Sequence, residues 1–135
     1  MKKIAIIILF AMLFLSGCNI SNQRLKTKMI EKYSEDQNYV ALSGEIIECN
    51  DNNATIKCVG LKEYISYQNE LCDYYIYSNQ IIELSVGEKV DFVTVPFHFY
   101  NGHKLPIVEL QIDGITLLTF EEGKENLINW VNENF

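Results

Sequence analysis

His98 and His103 bracket the dipeptide Asn101-Gly102, and they are the two histidines of this 135-residue chain. Imidazoles at the ends of a tight turn can hold a metal or carry a proton when a third group completes the set. With Asn101-Gly102 as a two-residue turn, Tyr100 faces His103, Phe97 faces Pro106, Val95 faces Val108 and Val93 faces Leu110. Glu109 then lies several residues down the partner strand, out of reach as a third ligand. Two ligands do not make a metal centre, and exposed turn histidines are the simpler reading. The sequence carries no G-x-S-x-G, no H-E-x-x-H, no phosphate loop and no acidic calcium loop. No catalytic residue, metal or cofactor is assigned, and the chain is not expected to be an enzyme.

Tyrosine is the other residue type with an unusual distribution. Tyr64, Tyr67, Tyr74, Tyr75 and Tyr77 fall within fourteen residues. Tyrosine combines a broad, rigid contact face with a polar tip, and it is enriched where proteins meet partners. These five form the candidate binding surface. Strand propensity alone also selects tyrosine, and Tyr74 and Tyr75 must point to opposite sides of any strand that holds them.

The first eighteen residues give an address for this chemistry. Lys2 and Lys3 precede a twelve-residue apolar run, Ile4 to Leu15, which is too short to span a bilayer and fits a secretory signal peptide. Leu15-Ser16-Gly17-Cys18 resembles the lipobox of bacterial lipoproteins. The resemblance implies cleavage after Gly17 and a diacylglyceryl group on the Cys18 thiol, and two acyl chains make anchoring stable. Residues 1–17 are thus read as a cleaved signal, 18–28 as a lipidated tether, and 29–135 as one globular domain. The expected location is the extracytoplasmic face of the cell membrane, or an outer membrane if the cell has two.

Given that assignment of Cys18, three cysteines remain, Cys49, Cys58 and Cys72, enough for one internal disulfide at most. The mature chain carries nine basic against eighteen acidic side chains. A surface so acidic repels phosphate backbones, so nucleic acid is not an expected partner. It should also keep the domain from lying flat on anionic lipid.

The elements that must position these residues follow from periodicity. Leu25, Met29, Ile30 and Tyr33 mark an amphipathic helix over Arg24–Tyr33. Tyr39–Cys49 reads as a strand bent at Gly44, Asp51-Asn52-Asn53 as a turn, and Ala54–Gly60 as the return strand. Ile47, Cys49, Ile56 and Cys58 then share a face, and a Cys49–Cys58 bridge and two buried thiols are both compatible with that hairpin. Leu61–Leu71 fits either a short helix or a loop. Cys72–Tyr77 is strand-like, Lys89–Tyr100 and Lys104–Ile112 form a hairpin, and Ile115–Leu118 adds a short strand. On the second hairpin, Val93, Val95, Phe97, Val108, Leu110 and Ile112 share the apolar face. Thr119-Phe120-Glu121-Glu122 fits a capping box, opening a helix with Phe120, Leu127, Ile128, Val131 and Phe135 on one stripe and Trp130 at its margin.

Many short antiparallel strands with glycine bends, flanked by two helices, predict a mainly β domain. The long bent first strand and the later Asn-Gly hairpin resemble the OB-fold, a small barrel of five to six strands. An open antiparallel sheet with both helices on one face is the alternative. The functional expectation is a membrane-anchored, non-enzymatic binding or adaptor module for an envelope protein or glycan. An inhibitor or immunity-type lipoprotein is the alternative, and a small hydrolase a more distant one.

Overall fold

The computed structural model describes residues 22–59 and 71–135. The expected signal peptide (residues 1–17), Cys18, Tyr64 and Tyr67 lie outside the described residues. A helix over 22–34 (α1) leads through a 3-10 turn, Asp36–Asn38, into β1, Val40–Asn50. There follow β2 (Asn53–Val59), β3 (Leu71–Ile76), β4 (Lys89–Thr94), β5 (Leu105–Ile112) and β6 (Ile115–Leu118). The helix α2, Phe120–Asn134, comes last. Among the described residues no helix is long and apolar enough to cross a membrane.

The strands lie in the order β3-β2-β1-β4-β5-β6, and β3 also pairs with β5 in parallel. That extra ladder joins the two ends of the five-stranded array and closes a barrel, which removes its edges. The path 1-2-3-5-4-1, with a long first strand shared by both halves, is that of an OB-type barrel.

Two glycines are required by close approach. A Cβ on Gly44 would overlap the Ile56 side chain and the Lys57 carbonyl, so β1 bends against β2 only because that position is bare. A Cβ on Gly123 would overlap the Val108 backbone, which places the first turn of α2 directly on β5.

Burial divides into two cores. Inside the barrel lie Leu42, Ile46, Ile56, Tyr74, Ile76, Val90, Phe92, Leu105, Ile107 and Leu110. Outside it, Met29 and Tyr33 of α1 pack with Leu127 and Val131 of α2 against Tyr77, Val95 and Val108. Strand β5 serves both cores and is buried on both faces over its first half. A bulge makes this possible. Val93 pairs Glu109 while Thr94 pairs Ile107, so Val108 is the extra residue and points outward beneath α2.

Two expected registers change. The first hairpin turns on Asp51 and Asn52 alone, with Asn50 opposite Asn53, and Asp51 takes a positive φ of 54°. A bulge at Ile47 then puts Ile46 and Cys49 on the inner side and leaves Ile47 39% exposed. Cys49 stands opposite Ala54, and Cys58 opposite Gly44. Those ladder positions are four residues, about 13 Å, apart along β2, so the Cys49–Cys58 bridge does not form; a disulfide needs Cα atoms within about 7 Å. In the second hairpin, Phe92 faces Leu110 and Asp91 faces Gln111, one residue away from the pairing expected across Asn101-Gly102. Phe92 is therefore in the barrel and Phe97 is 44% exposed, the reverse of the expected faces.

Asn52 is the polar pivot of the barrel floor. It is 6% exposed, its Oδ1 accepts from the Ile82 amide at 2.9 Å, and its Nδ2 donates to the Gln80 carbonyl at 3.1 Å. Its own carbonyl accepts from Ile76 N at 2.8 Å. The side chain thus closes the segment after β3, which brings Ile82 and Leu84 onto the core. Asn52→Ala removes both part-buried hydrogen bonds, to the Ile82 amide and the Gln80 carbonyl, and is expected to cost about 2 kcal/mol in denaturant unfolding. Asn52→Asp, which keeps the acceptor, should recover part of that loss.

Candidate functional site

The β4–β5 connection, residues 95–104, is where local chemistry and barrel geometry meet. Pro96 has no amide hydrogen to offer a ladder, and β4 stops two residues before it. Val95 and His103 anchor the two ends at 1% and 6% exposure. At the tip, His103 N donates to the Tyr100 carbonyl at 3.1 Å. Gly102 alone of the two central residues takes positive φ, 81°, which makes this a type II turn.

Aromatic rings fill the connection. Phe99 meets Phe97 at 4.6 Å, Tyr33 at 5.4 Å and His103 at 5.6 Å between ring centres, all edge to face. Tyr100 sits 4.9 Å from His103 on the other side. Lys32 of α1 lies 5.0 Å over Phe97 as a cation–π contact. His103 Nε2 is hydrogen-bonded to Tyr33 Oη at 3.2 Å, which ties α1 to the loop, while its Nδ1 is buried without a protein partner among the described residues. Burial, reinforced by nearby His98, pushes the His103 imidazole down to about 4, so it is neutral at ordinary pH. Burial likewise raises the Tyr33 phenol above its ordinary value, with Tyr77 adding to the effect.

His98 and His103 are brought together, with ring centres 6.3 Å apart. Their contact is His98 Nδ1 with the His103 carbonyl at 3.0 Å, and because a carbonyl only accepts, the proton of His98 resides on Nδ1. Among the described residues, no three His, Cys, Asp or Glu gather as a metal site.

The tyrosines separate by face. Tyr74 is fully buried in the barrel, with its hydroxyl 3.3 Å from Cys58 Sγ and its ring 5.0 Å from Phe92. It is a core residue and is removed from the binding surface, because its side chain is fully enclosed by the barrel. Tyr75, on the outer side, is half-buried and meets Tyr77 at 4.9 Å. Tyr77 meets Trp130 at 5.7 Å, and Asn126 Nδ2 donates to the Tyr77 carbonyl at 3.0 Å, fixing α2 beside the end of β3.

These outward rings line a cleft of about 290 Å³. Tyr75, Tyr77, Tyr100, His103 and Trp130 line it with their rings, and Asn53 and Lys104 supply polar groups. Lys104 Nζ donates to Asn53 Oδ1, holding both groups at the mouth. Two neighbouring hollows flank the same loop, one of about 680 Å³ toward Cys72, Asp73 and His98 and one of about 420 Å³ toward Lys28, Lys32 and Phe97. The aromatic cleft combines several rings with donors, the usual make-up of a small-ligand site. Tyr100, Trp130, Asn53 and Lys104 were not among the expected binding residues. Trp130 at the margin of its helical stripe was the one sequence signal for them.

No family model matches the chain, and no curated protein sequence matches it. Among solved structures, apo-CusF residues 6–88 from Escherichia coli aligns with a TM-score of 0.42 at 15% identity, covering 56% of this chain and 87% of that one. Ag(I)CusF gives 0.41 at 15% identity, with 56% and 97% coverage. The C-terminal domain of SilB from Cupriavidus metallidurans gives 0.41 at 12%, with 55% and 87%.

Proposed function

We propose that the chain is a lipid-anchored, extracytoplasmic binding module whose cleft takes a sugar unit of an envelope glycan. The observation that carries this reading is the convergence of Tyr75, Tyr100 and Trp130 with the Lys104–Asn53 pair on one small outward cleft. Ring faces suit the C–H face of a pyranose, while an amide and an ammonium suit its hydroxyl rim. The cleft lies where β3 meets the β4–β5 loop, the part of an OB barrel that holds extended polar ligands. Its volume favours one sugar ring over a folded protein surface. The acidic balance speaks against a nucleic-acid strand as the stacked partner. The anchor is supported by Leu15-Ser16-Gly17-Cys18 following an apolar run, and intact mass of the mature chain tests it directly: a free Cys18 thiol or a retained Met1 would exclude it.

Binding to neutral wall oligosaccharides and muropeptides, followed by calorimetry, checks the cleft. Tyr100→Ala and Trp130→Ala should each weaken binding by about tenfold, the loss of one stacking contact. Tyr74→Phe should leave affinity unchanged, since that hydroxyl is interior. Equal affinities for the wild type and both alanine variants would sink the assignment.

A further inference from the structure

We infer that the domain rests on anionic lipid through one end, formed by the start of α1, the last turn of α2 and the tip of the β4–β5 loop. This rests on the anchor reading above, and the docked end shares Tyr100 and Trp130 with the cleft.

Three observations locate that end. The first is the tether. Asn22, the first described residue of α1, comes four residues after Cys18, so it stands within about 14 Å of the lipidated residue at the greatest reach of the chain. The second is charge. Residues 18–30 contain Arg24, Lys26 and Lys28 and no acidic side chain, whereas from Glu31 onward six cations stand against eighteen acids. Arg24 and Lys28 are exposed. Such a split turns the basic end toward an anionic surface and the acidic body away from it, with each cation near the headgroups contributing attraction that salt screens.

The third is what lies beside that end. Lys26 Nζ reaches the Asn132 carbonyl at 3.5 Å, so α1 begins where α2 finishes. There Trp130 meets Phe135 at 5.7 Å, and the half-exposed Tyr100 of the loop tip lies 6.3 Å from Phe135. Trp, Tyr and Phe beside cations are the side chains that settle at the membrane–water boundary. Glu133 is the acid on the same turn of α2, one charge against three. Glu45, Glu48, Asp51 and Asp91 belong to β1, its turn and β4, while Asp73 lines the hollow beside the loop tip.

Trp130 is the one tryptophan of the chain, so its emission reports docking directly. The lipidated mature protein is reconstituted into phosphatidylcholine vesicles with or without about one-third phosphatidylglycerol, each doped with brominated lipid. In the anionic vesicles at low salt, Trp130 should be quenched and blue-shifted. Both effects should fade in phosphatidylcholine alone, at high salt, and in the Arg24→Gln/Lys26→Gln/Lys28→Gln variant, which should lower the docked-to-undocked ratio by about tenfold or more. Co-flotation with Trp130 equally unquenched in both lipids would overturn the orientation and leave the anchor standing. Failure of the wild type to co-float would overturn the anchor and the orientation together.

Discussion

Gly123→Ala should lower the stability of the domain by about 3 kcal/mol or more, although alanine is the better helix former by about 1 kcal/mol. The sign of this result is the informative part. On an isolated helix the substitution stabilises, because glycine loses more backbone freedom on ordering. Here the added methyl would occupy the space of the Val108 backbone, and neither the sheet nor the helix can give way there. Val108 is the bulged residue of β5, fixed between its pairings to β4, and the helix is pinned by Leu127 and Val131 at 0% exposure. Relief would require α2 to lift, exposing the outer core that it shares with Met29 and Tyr33. Denaturant unfolding followed by far-ultraviolet circular dichroism gives the stability change, and Trp130 emission reports whether the helix has moved in the folded baseline. A neutral or stabilising outcome would show that α2 is not seated on the bulge.

Acidification from pH 6.5 to pH 4 should cost about 3 kcal/mol through His103 alone. In the unfolded chain the imidazole takes a proton near its ordinary 6.5, while in the fold burial holds it down to about 4. Above pH 6.5 both states are neutral and the group is without effect. Between the two values the unfolded state binds a proton that the folded state refuses, so stability falls with pH; below about 4 both states are protonated and the loss levels off. Its partners leave the cation poorly served. Tyr33 Oη is one neighbour, Phe99 and Tyr100 supply ring edges, His98 is a second imidazole, and Nδ1 has no acceptor among the described residues. Carboxylates titrate in the same range, so the comparison must be with His103→Gln, whose amide can still meet Tyr33. That variant should lose the slope between pH 6.5 and 4 and keep whatever the carboxylates contribute. An unchanged slope would remove His103 as its source.

The elements were largely legible. β-Branched and aromatic runs separated by turn formers gave the strands, and Thr119 with Glu122 gave the start of α2, where the Thr119 hydroxyl accepts from the Glu122 amide at 3.4 Å. The bend at Gly44 was readable because a bare position within an apolar strand has few other uses. Registers were not readable. Asn101-Gly102 signals a turn and says nothing of the strand ends, which Pro96 and the buried His103 pull back to Thr94 and Leu105. One residue of slip, plus a bulge, exchanges Phe92 and Phe97 between core and surface.

The sequence by itself determined composition-level and local properties: the acidic balance, the basic stretch before Glu31, the apolar run over residues 4–15 with its lipobox-like end, and a mainly β barrel bounded by helices. Each depends on residues near one another in the chain. The tertiary structure decided which tyrosines face outward, where the cysteines stand, and which side chains meet in the cleft. Asn53, Tyr75, Tyr100 and Trp130 come from four separate elements and converge only because β3 closes onto β5 and α2 crosses the outside of that seam. Long-range pairing of that kind is set by bulges and close approaches, such as Val108 beneath Gly123, that leave no periodic trace in the chain.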